Sequence, residues 1–190
     1  NYKAVQFNHP VVLPRFKVDD IEIPKEIRDK RYVVVHYGGT SETRRWSVDN
    51  YLYLIRYLVK QDNYVVVVGT EPIFGLSKEK NVYQYTTLPL EVITAIIDRA
   101  DYFIGVDSGL MHIAGCLGKE GTIIFGSSDE DLIKYFPNFK AIVNKYCECR
   151  PCRLVTSCKN QERPLHCIKE VNPDNVINSL PNRLRSKKYE

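Results

Sequence analysis

Two glycines, three hydroxyls and two guanidinium groups fall together in Gly38-Gly39-Thr40-Ser41-Glu42-Thr43-Arg44-Arg45-Trp46. Glycine lets a backbone come close to a ligand, while arginine and hydroxyl side chains donate to phosphate oxygens. Thr40, Ser41, Arg44 and Arg45 are therefore candidate phosphate contacts. The same residues also read as a polar surface loop in which Trp46 plugs the core. A second segment, Asp107-Ser108-Gly109-Leu110-Met111-His112, carries an apolar strand pattern straight into a helix. Free N–H groups at a helix N-terminus, backed by the helix dipole, bind anions without any side chain. Ser108 and His112 share a helix face, which would set His112 beside the bound group. The plainer reading makes Asp107 or Ser108 an N-cap and His112 an interior histidine. Gly126-Ser127-Ser128-Asp129 is chiefly an N-cap signal.

The cysteines pose a separate question. Cys116 stands alone, and the other five of the six lie between Cys147 and Cys167. Cys149, Cys152, Cys158 and Cys167 offer four thiols, with Cys147 spare, in a pattern that could hold zinc or iron tetrahedrally. The second pair is spaced too widely for a zinc ribbon. Reduced thiols in a loop-rich flap, or disulfides formed on purification, are the alternatives. Neighbouring Arg150, Arg153 and Lys159 would favour thiolates, and a bound ion would staple a segment too polar to fold by burial alone.

The elements that must position these groups alternate. Tyr32 to Tyr37, Tyr64 to Val68, Tyr102 to Val106 and Thr122 to Phe125 are apolar, β-branched runs, each followed by a glycine or an Asp-Ser-Gly turn. Such runs suit a sheet covered on both faces. Ser47 caps a helix with the stripe Tyr51, Leu54, Ile55 and Leu58, and Pro89 opens another with Ile93, Ile96, Ile97 and Ala100. Short helices are predicted over Leu110–Leu117, Asp129–Tyr135 and Asn175–Leu180, with an edge strand at Ala141–Val143. The pattern predicts an α/β, Rossmann-like parallel sheet with helices on both faces and its ligand crevice at the strands' carboxyl ends. The predicted division is an arm over 1–30, the Rossmann-like domain over 31–145, a Cys-rich flap over 146–170, and a terminal helix with a basic tail over 171–190.

Composition sets limits. Apolar residues make up 44% and charged residues 26%, ordinary for a globular chain. A net charge of +4 without interleaved aromatics argues against a nucleic-acid partner. The basic tail from Arg183 to Lys188 reads as a solvated end, with anionic lipid contact the lesser option. No apolar run is long enough for a membrane span, and no leader pattern is present. Neither G-x-G-x-x-G nor a P-loop occurs, which argues against an NAD dehydrogenase and a P-loop nucleotidase. The chain begins at Asn1, as an excised or processed piece would.

Taken in order, Gly38-Gly39-Thr40 with Arg44-Arg45-Trp46, Val67 to Glu71, and Ala100 to Ala114 resemble glycosyltransferase family nine, the heptosyltransferases of lipopolysaccharide core assembly. Gly118, Phe125 and Gly126 fit the continuation, and the resemblance runs from about Val33 to Leu180. It implies one half of a GT-B enzyme: the C-terminal, donor-binding domain, with ADP-heptose the expected donor. Arg44 then stands where the family usually has a phosphate-binding lysine. Ser108 and Gly109 would hold the diphosphate, with Asp107 and His112 near, and Glu71 would meet the ribose. Ser108 replaces the commoner threonine. The family's catalytic base is an aspartate of the N-terminal Rossmann-like domain, so this chain alone would bind donor without turnover. The resemblance further implies a glycan, lipid-linked or protein acceptor and a cytoplasmic setting, peripheral to the inner membrane face in some cases. A subgroup that heptosylates autotransporter proteins is similar in placing cysteines here for iron. The arginines and the helix N-terminus predict donor binding without a divalent metal. A non-catalytic nucleotide-sugar-binding module and a GT-B sugar-nucleotide epimerase are the rival functions.

Overall fold

Runs such as Tyr32-Val33-Val34-Val35 offer water no polar face, and the fold covers both of their faces. The computed structural model describes residues 17–39, 41–153 and 157–186. Six strands, β1 (Tyr32–Tyr37), β2 (Tyr64–Gly69), β3 (Val82–Tyr85), β4 (Tyr102–Val106), β5 (Gly121–Phe125) and β6 (Phe139–Val143), form one sheet in the order β3-β2-β1-β4-β5-β6. Every neighbouring pair is parallel. This is the doubly wound order, in which the chain turns back at the centre and leaves a crevice between the carboxyl ends of β1 and β4.

Alternate residues of each strand feed two cores. On one face Val33, Val35, Val65, Val67 and Ile104 pack against α1 (Val48–Lys60). There Tyr51, Leu54, Ile55 and Leu58 are buried, and Ser47 Oγ accepts from Asn50 N–H, as the pattern predicts. Fully burying a leucine or isoleucine contributes about 1.5–3 kcal/mol, so this stripe holds the helix in place. On the other face Val34, Val66, Val68 and Phe103 pack against α2 (Leu90–Arg99) and α3 (Gly109–Cys116).

The sequence does not announce β3. It is four half-buried residues at an edge, and Gln84 is accommodated there because its side-chain amide bonds both N–H and C=O of Ile73. Asp129 to Tyr135 is a 3-10 helix over Glu130–Tyr135 rather than an α-helix. The terminal helix is α5 (Pro173–Ser179), with Pro173 in its first turn, preceded by α4 (His166–Lys169) and followed by α6 (Asn182–Arg185).

Within the arm, residues 17–30 form turns, and Val18, Ile23 and Ile27 are buried on the α2 face. Arg99 at the end of α2 donates to the carbonyls of Val18, Asp19 and Ile21 and ties the segment down. The cysteine-rich stretch also contributes to a core: Cys147, Leu165, Cys167 and Ile168 join the α1 face. Burial therefore supports part of a segment whose composition suggests little. Among the described residues no helix is long and apolar enough to cross a membrane.

Candidate functional site

The crevice begins where β1 ends. Gly38 and Gly39 have φ of 110° and 157°, backbone that only glycine adopts without strain. They turn the chain into a single 3-10 turn, Glu42–Arg44. Ser41 caps that turn, accepting from Thr43 N–H and meeting the Thr43 hydroxyl, so its oxygen serves the loop itself. Thr40 lies outside the described residues. Arg45 bends back: its Nε donates to Gly39 O at 2.8 Å and it ion-pairs with exposed Glu71 at 3.5 Å. Arg44 points the other way, with Nε 3.3 Å from Oδ2 of buried Asp107. That contact is one of charge, for Nε makes no hydrogen bond among the described residues.

The end of β4 supplies Asp107, then Ser108 as N-cap of α3. Ser108 Oγ accepts from Met111 N–H at 3.3 Å and lies 3.2 Å from Nδ1 of His36. Burial alone lowers the His36 pKa to about 4, so its ring is neutral at physiological pH. In the tautomer with its lone pair on Nδ1, the neutral ring would accept the Ser108 proton and leave the hydroxyl oxygen to cap α3. The end of β5 supplies Ser128, whose hydroxyl donates to Asp107 Oδ2 at 2.5 Å. Arg44 and Ser128 thus meet the same oxygen of one buried carboxylate.

Around these groups lies a cleft of about 430 Å³, lined by His36, Tyr37, Gly39, Arg44, Arg45, Thr70, Leu90 and the stretch Asp107 to Leu110. Gly109 is exposed there, and a Cβ on it would meet nothing within 4 Å. A second cleft of about 600 Å³ shares Arg44 and Asp107 and continues along Ser128, Asp129, Lys134, Tyr135 and Arg153. Its rim holds an Asp-x-Asp spacing, Asp129-Glu130-Asp131, but two of these carboxylates are engaged. Asp129 meets Arg153 and caps Asp131 N–H, and Glu130 meets Arg150. A groove of about 440 Å³ along α1 lies away from the strand ends and, among the described residues, is lined by that helix alone.

Arg44, Arg45, Asp107, Ser108 and Gly109 therefore line one cleft. Glu71 stands at its edge through Arg45. His112 does not line either cleft; it is exposed on α3, edge-on to Phe136 at 5.9 Å between centroids. His36, Thr70 and Ser128 are contributors that the motifs do not reveal. A histidine inside an otherwise apolar strand, one residue short of its end at Tyr37 before Gly38-Gly39, is the one available signal.

Among the cysteines, the ligand atoms of Cys147, Cys149 and His166 lie within 4.8 Å of one another. The quartet expected from spacing, Cys149, Cys152, Cys158 and Cys167, is not the set brought closest. The spare Cys147 joins it, and His166 arrives with Nδ1 on Arg163 O at 2.7 Å. The turn that aims His166 requires a left-handed Leu165, φ 62°. The Cys167 thiol is raised to about 12 by burial and by Cys147, Cys149, Cys152 and Cys158, so all five thiols share one neighbourhood. Burial also raises Cys147. The Arg150 charge does lower the Cys147 thiol, but burial and the neighbouring Cys149 thiol outweigh it, so the expected help from the arginines does not prevail there.

The family model for glycosyltransferase family 9 (heptosyltransferase) matches residues 4–162. Lipopolysaccharide heptosyltransferase 1 of Campylobacter coli is 20% identical over 162 residues, covering 79% of this chain and 46% of that protein. The chain thus spans about half the length of this curated relative. The iron-containing dodecameric heptosyltransferase TibC of enterotoxigenic E. coli, solved with ADP-D-β-D-heptose, has a TM-score of 0.66 at 20% identity, over 87% of this chain and 48% of that one. E. coli heptosyltransferase WaaC with ADP has a TM-score of 0.64 at 16% identity, over 85% and 46%. At such identities these structures speak for the fold, which is the α/β, Rossmann-like half of a GT-B architecture. Sheet order, strand-end loops and the family match agree: the chain belongs to glycosyltransferase family 9, the heptosyltransferases.

Proposed function

We propose that this chain is the donor-binding half of a nucleotide-sugar glycosyltransferase, and that the β1/β4 cleft takes the diphosphate of ADP-heptose. The observation that carries this reading is the convergence of Arg44, Arg45 and the N-terminus of α3 on one cleft at the strand ends. Arg44 neutralises Asp107 and keeps unused donors for phosphate oxygens; the first amides of α3 supply further donors. Gly109 supports it, since neither a positive φ nor packing calls for glycine there. TibC and WaaC were solved with an ADP-heptose and with ADP, which makes the same donor class the first to test.

Transfer needs a base for the acceptor, and the cleft's own candidates are occupied: Asp107 by Arg44 and Ser128, His36 by Ser108. The base is assigned to an N-terminal Rossmann-like domain, the acceptor to a glycan, lipid-linked or protein hydroxyl, and the chain alone binds without turnover. The division into an arm (1–30), donor domain (31–145), Cys-rich flap (146–170) and terminal helix with basic tail (171–190) belongs to the same proposal.

Calorimetric titration with ADP, GDP, UDP and CDP in EDTA is the test. ADP is expected to bind best, and without a divalent cation. Arg44→Ala should weaken it roughly ten- to hundredfold, as loss of a charge-assisted contact does, and Arg45→Ala by less. Arg45 already spends donors on Gly39 O and Glu71. Equal losses, or binding abolished by EDTA in a folded chain, would overturn the assignment.

The thiol cluster suits a soft ion. Two thiolates about 2.3 Å from one tetrahedral ion stand about 3.8 Å apart, and Cys147 Sγ and Cys149 Sγ are separated by 3.5 Å. With Nδ1 of His166 on a carbonyl, its Nε2 carries the lone pair, the usual arrangement of a metal-binding histidine. We assign zinc or iron to Cys147, Cys149 and His166, with a fourth ligand from Cys152, Cys158 or Cys167. TibC is described as iron-containing. The ion would act structurally, tying the Cys147–Cys149 turn to α4 within the flap. Elemental analysis of reduced protein should find near-stoichiometric metal, lost in Cys147→Ser and His166→Ala; less than about a tenth of an equivalent with every thiol reactive rules it out.

A further inference from the structure

The cysteine segment reaches the donor cleft through one side chain. Arg150, between Cys149 and Cys152, has its guanidinium side chain only 7% exposed. Its Nε donates to Gly126 O at 3.0 Å, and its Nη2 donates to Ser128 O at 3.1 Å and Glu130 Oε2 at 3.0 Å. Arg153 adds a backbone bond to Ser127 O at 2.8 Å. The consecutive carbonyls of Gly126, Ser127 and Ser128 are therefore all held by residues 150–153. From Ser128 the linkage continues by a hydroxyl hydrogen bond to Asp107, and Asp107 in turn pairs by charge with Arg44.

We propose that Arg150 is a positioning residue for donor binding. By fixing the Ser128 backbone it fixes the hydroxyl that orients the Asp107 carboxylate, and hence Arg44, in the cleft. The proposal rests on reading that cleft as the donor site. The guanidinium suits the task because its planar fork meets several acceptors at once, which a lysine ammonium does with less geometric control. Burial makes the arrangement all-or-none: with Arg150 removed, two carbonyls and Glu130 lose their shared donor, and Ser128 is free to turn. A buried arginine of this kind could also act as a strut for folding alone, so the test must separate the two roles.

The experiment is a double-mutant cycle on the full chain, read by ADP calorimetry and by urea unfolding. Arg150→Gln and Ser128→Ala should each weaken ADP by about tenfold, the scale of one charge-assisted bond. If Arg150 acts through Ser128, adding Arg150→Gln to Ser128→Ala leaves ADP affinity where Ser128→Ala put it, while its loss of unfolding stability persists. Multiplying affinity losses, or an unchanged ADP affinity in Arg150→Gln, would overturn the proposal. Should Arg150→Gln fail to fold, Arg150→Lys keeps the charge beside Glu130 but cannot form the fork, and it is subject to the same criterion. The carboxyl carbon resonance of Asp107 in the nucleotide-free chain keeps this failure distinct from failure of the donor reading. Arg150→Lys should shift that resonance, and should shift it no further in the Ser128→Ala background. A parent chain that binds no ADP but shows this pattern would refute the donor reading and leave Arg150 as the residue that positions Asp107. An unmoved resonance overturns the proposal outright.

Discussion

Between about pH 7.5 and about pH 4.5 the chain is expected to lose roughly 2–3 kcal/mol of folding stability through His36 alone. Burial lowers this imidazole from 6.5 to about 4, so over that interval the unfolded chain takes up a proton that the folded chain refuses. Stability rises with pH wherever the unfolded state binds more protons; this contribution is therefore complete above the unfolded value and declines as pH falls toward the folded one. Asp129 and Glu130 titrate in the same direction but lower. Arg153 bonds Asp129, and although burial opposes ionisation of Glu130, the Arg150 bond and charge outweigh it, so both carboxyls lie below their ordinary values. Their contributions are common to the parent and to His36→Asn, and cancel in the comparison. Urea unfolding of both proteins at the two pH values checks the claim. An equal acid loss in His36→Asn would show that the ring is not the source.

Gly126→Ala should be at least as damaging, by about 3 kcal/mol, at the upper end of overpacking costs. A Cβ at Gly126 would stand 2.4 Å from the Thr43 carbonyl oxygen and 2.8 Å from Cβ of Ile168. Both are backbone or near-backbone atoms that cannot swing aside, so the strand end and the arginine turn must part. For a chain of this size the melting temperature should fall by roughly 6–12 °C. ADP affinity should fall too, because Thr43 adjoins Arg44. Gly109→Ala is the contrast: its Cβ would enter open space, so stability should hold while ADP binding weakens. Melting curves that do not distinguish the two variants would contradict this account of Gly126.

The central strands and α1 were legible because their signals are local. Val33 to Val35 and Val65 to Val68 are β-branched runs that suit doubly covered strands, and Ser47 with the Tyr51–Leu58 stripe marks one helix face. Arg44, Asp107, Ser108 and Gly109 were legible as loop chemistry at strand ends. His36 and Ser128 were not, because their importance comes from strand order: β1 lies beside β4, and β4 beside β5, which no spacing within one segment reveals. The cysteines show the same limit. Spacing favoured Cys152 over Cys147, whereas the left-handed turn at Leu165 brings His166 to Cys147 and Cys149. Half-exposed β3, with Gln84 in its middle, has too little apolar contrast to register.

The two cores also close at different points along the chain, which bears on how the molecule assembles as it emerges from a ribosome. Among the described residues, every buried member of the α2/α3 core lies between Val18 and Phe139. The α1 core draws on Leu165, Ile168, Val176, Ile177, Leu180 and Leu184. Trp46 illustrates the delay: its indole N–H bonds to Val171 O, a partner made 125 residues later. A nascent chain can therefore finish one side of its sheet while the other still presents Trp46, Leu54 and Val67 to the surroundings. That interval is when chaperone binding to the α1 face, or aggregation through it, has its opportunity, and it ends only with synthesis of the segment through Leu184.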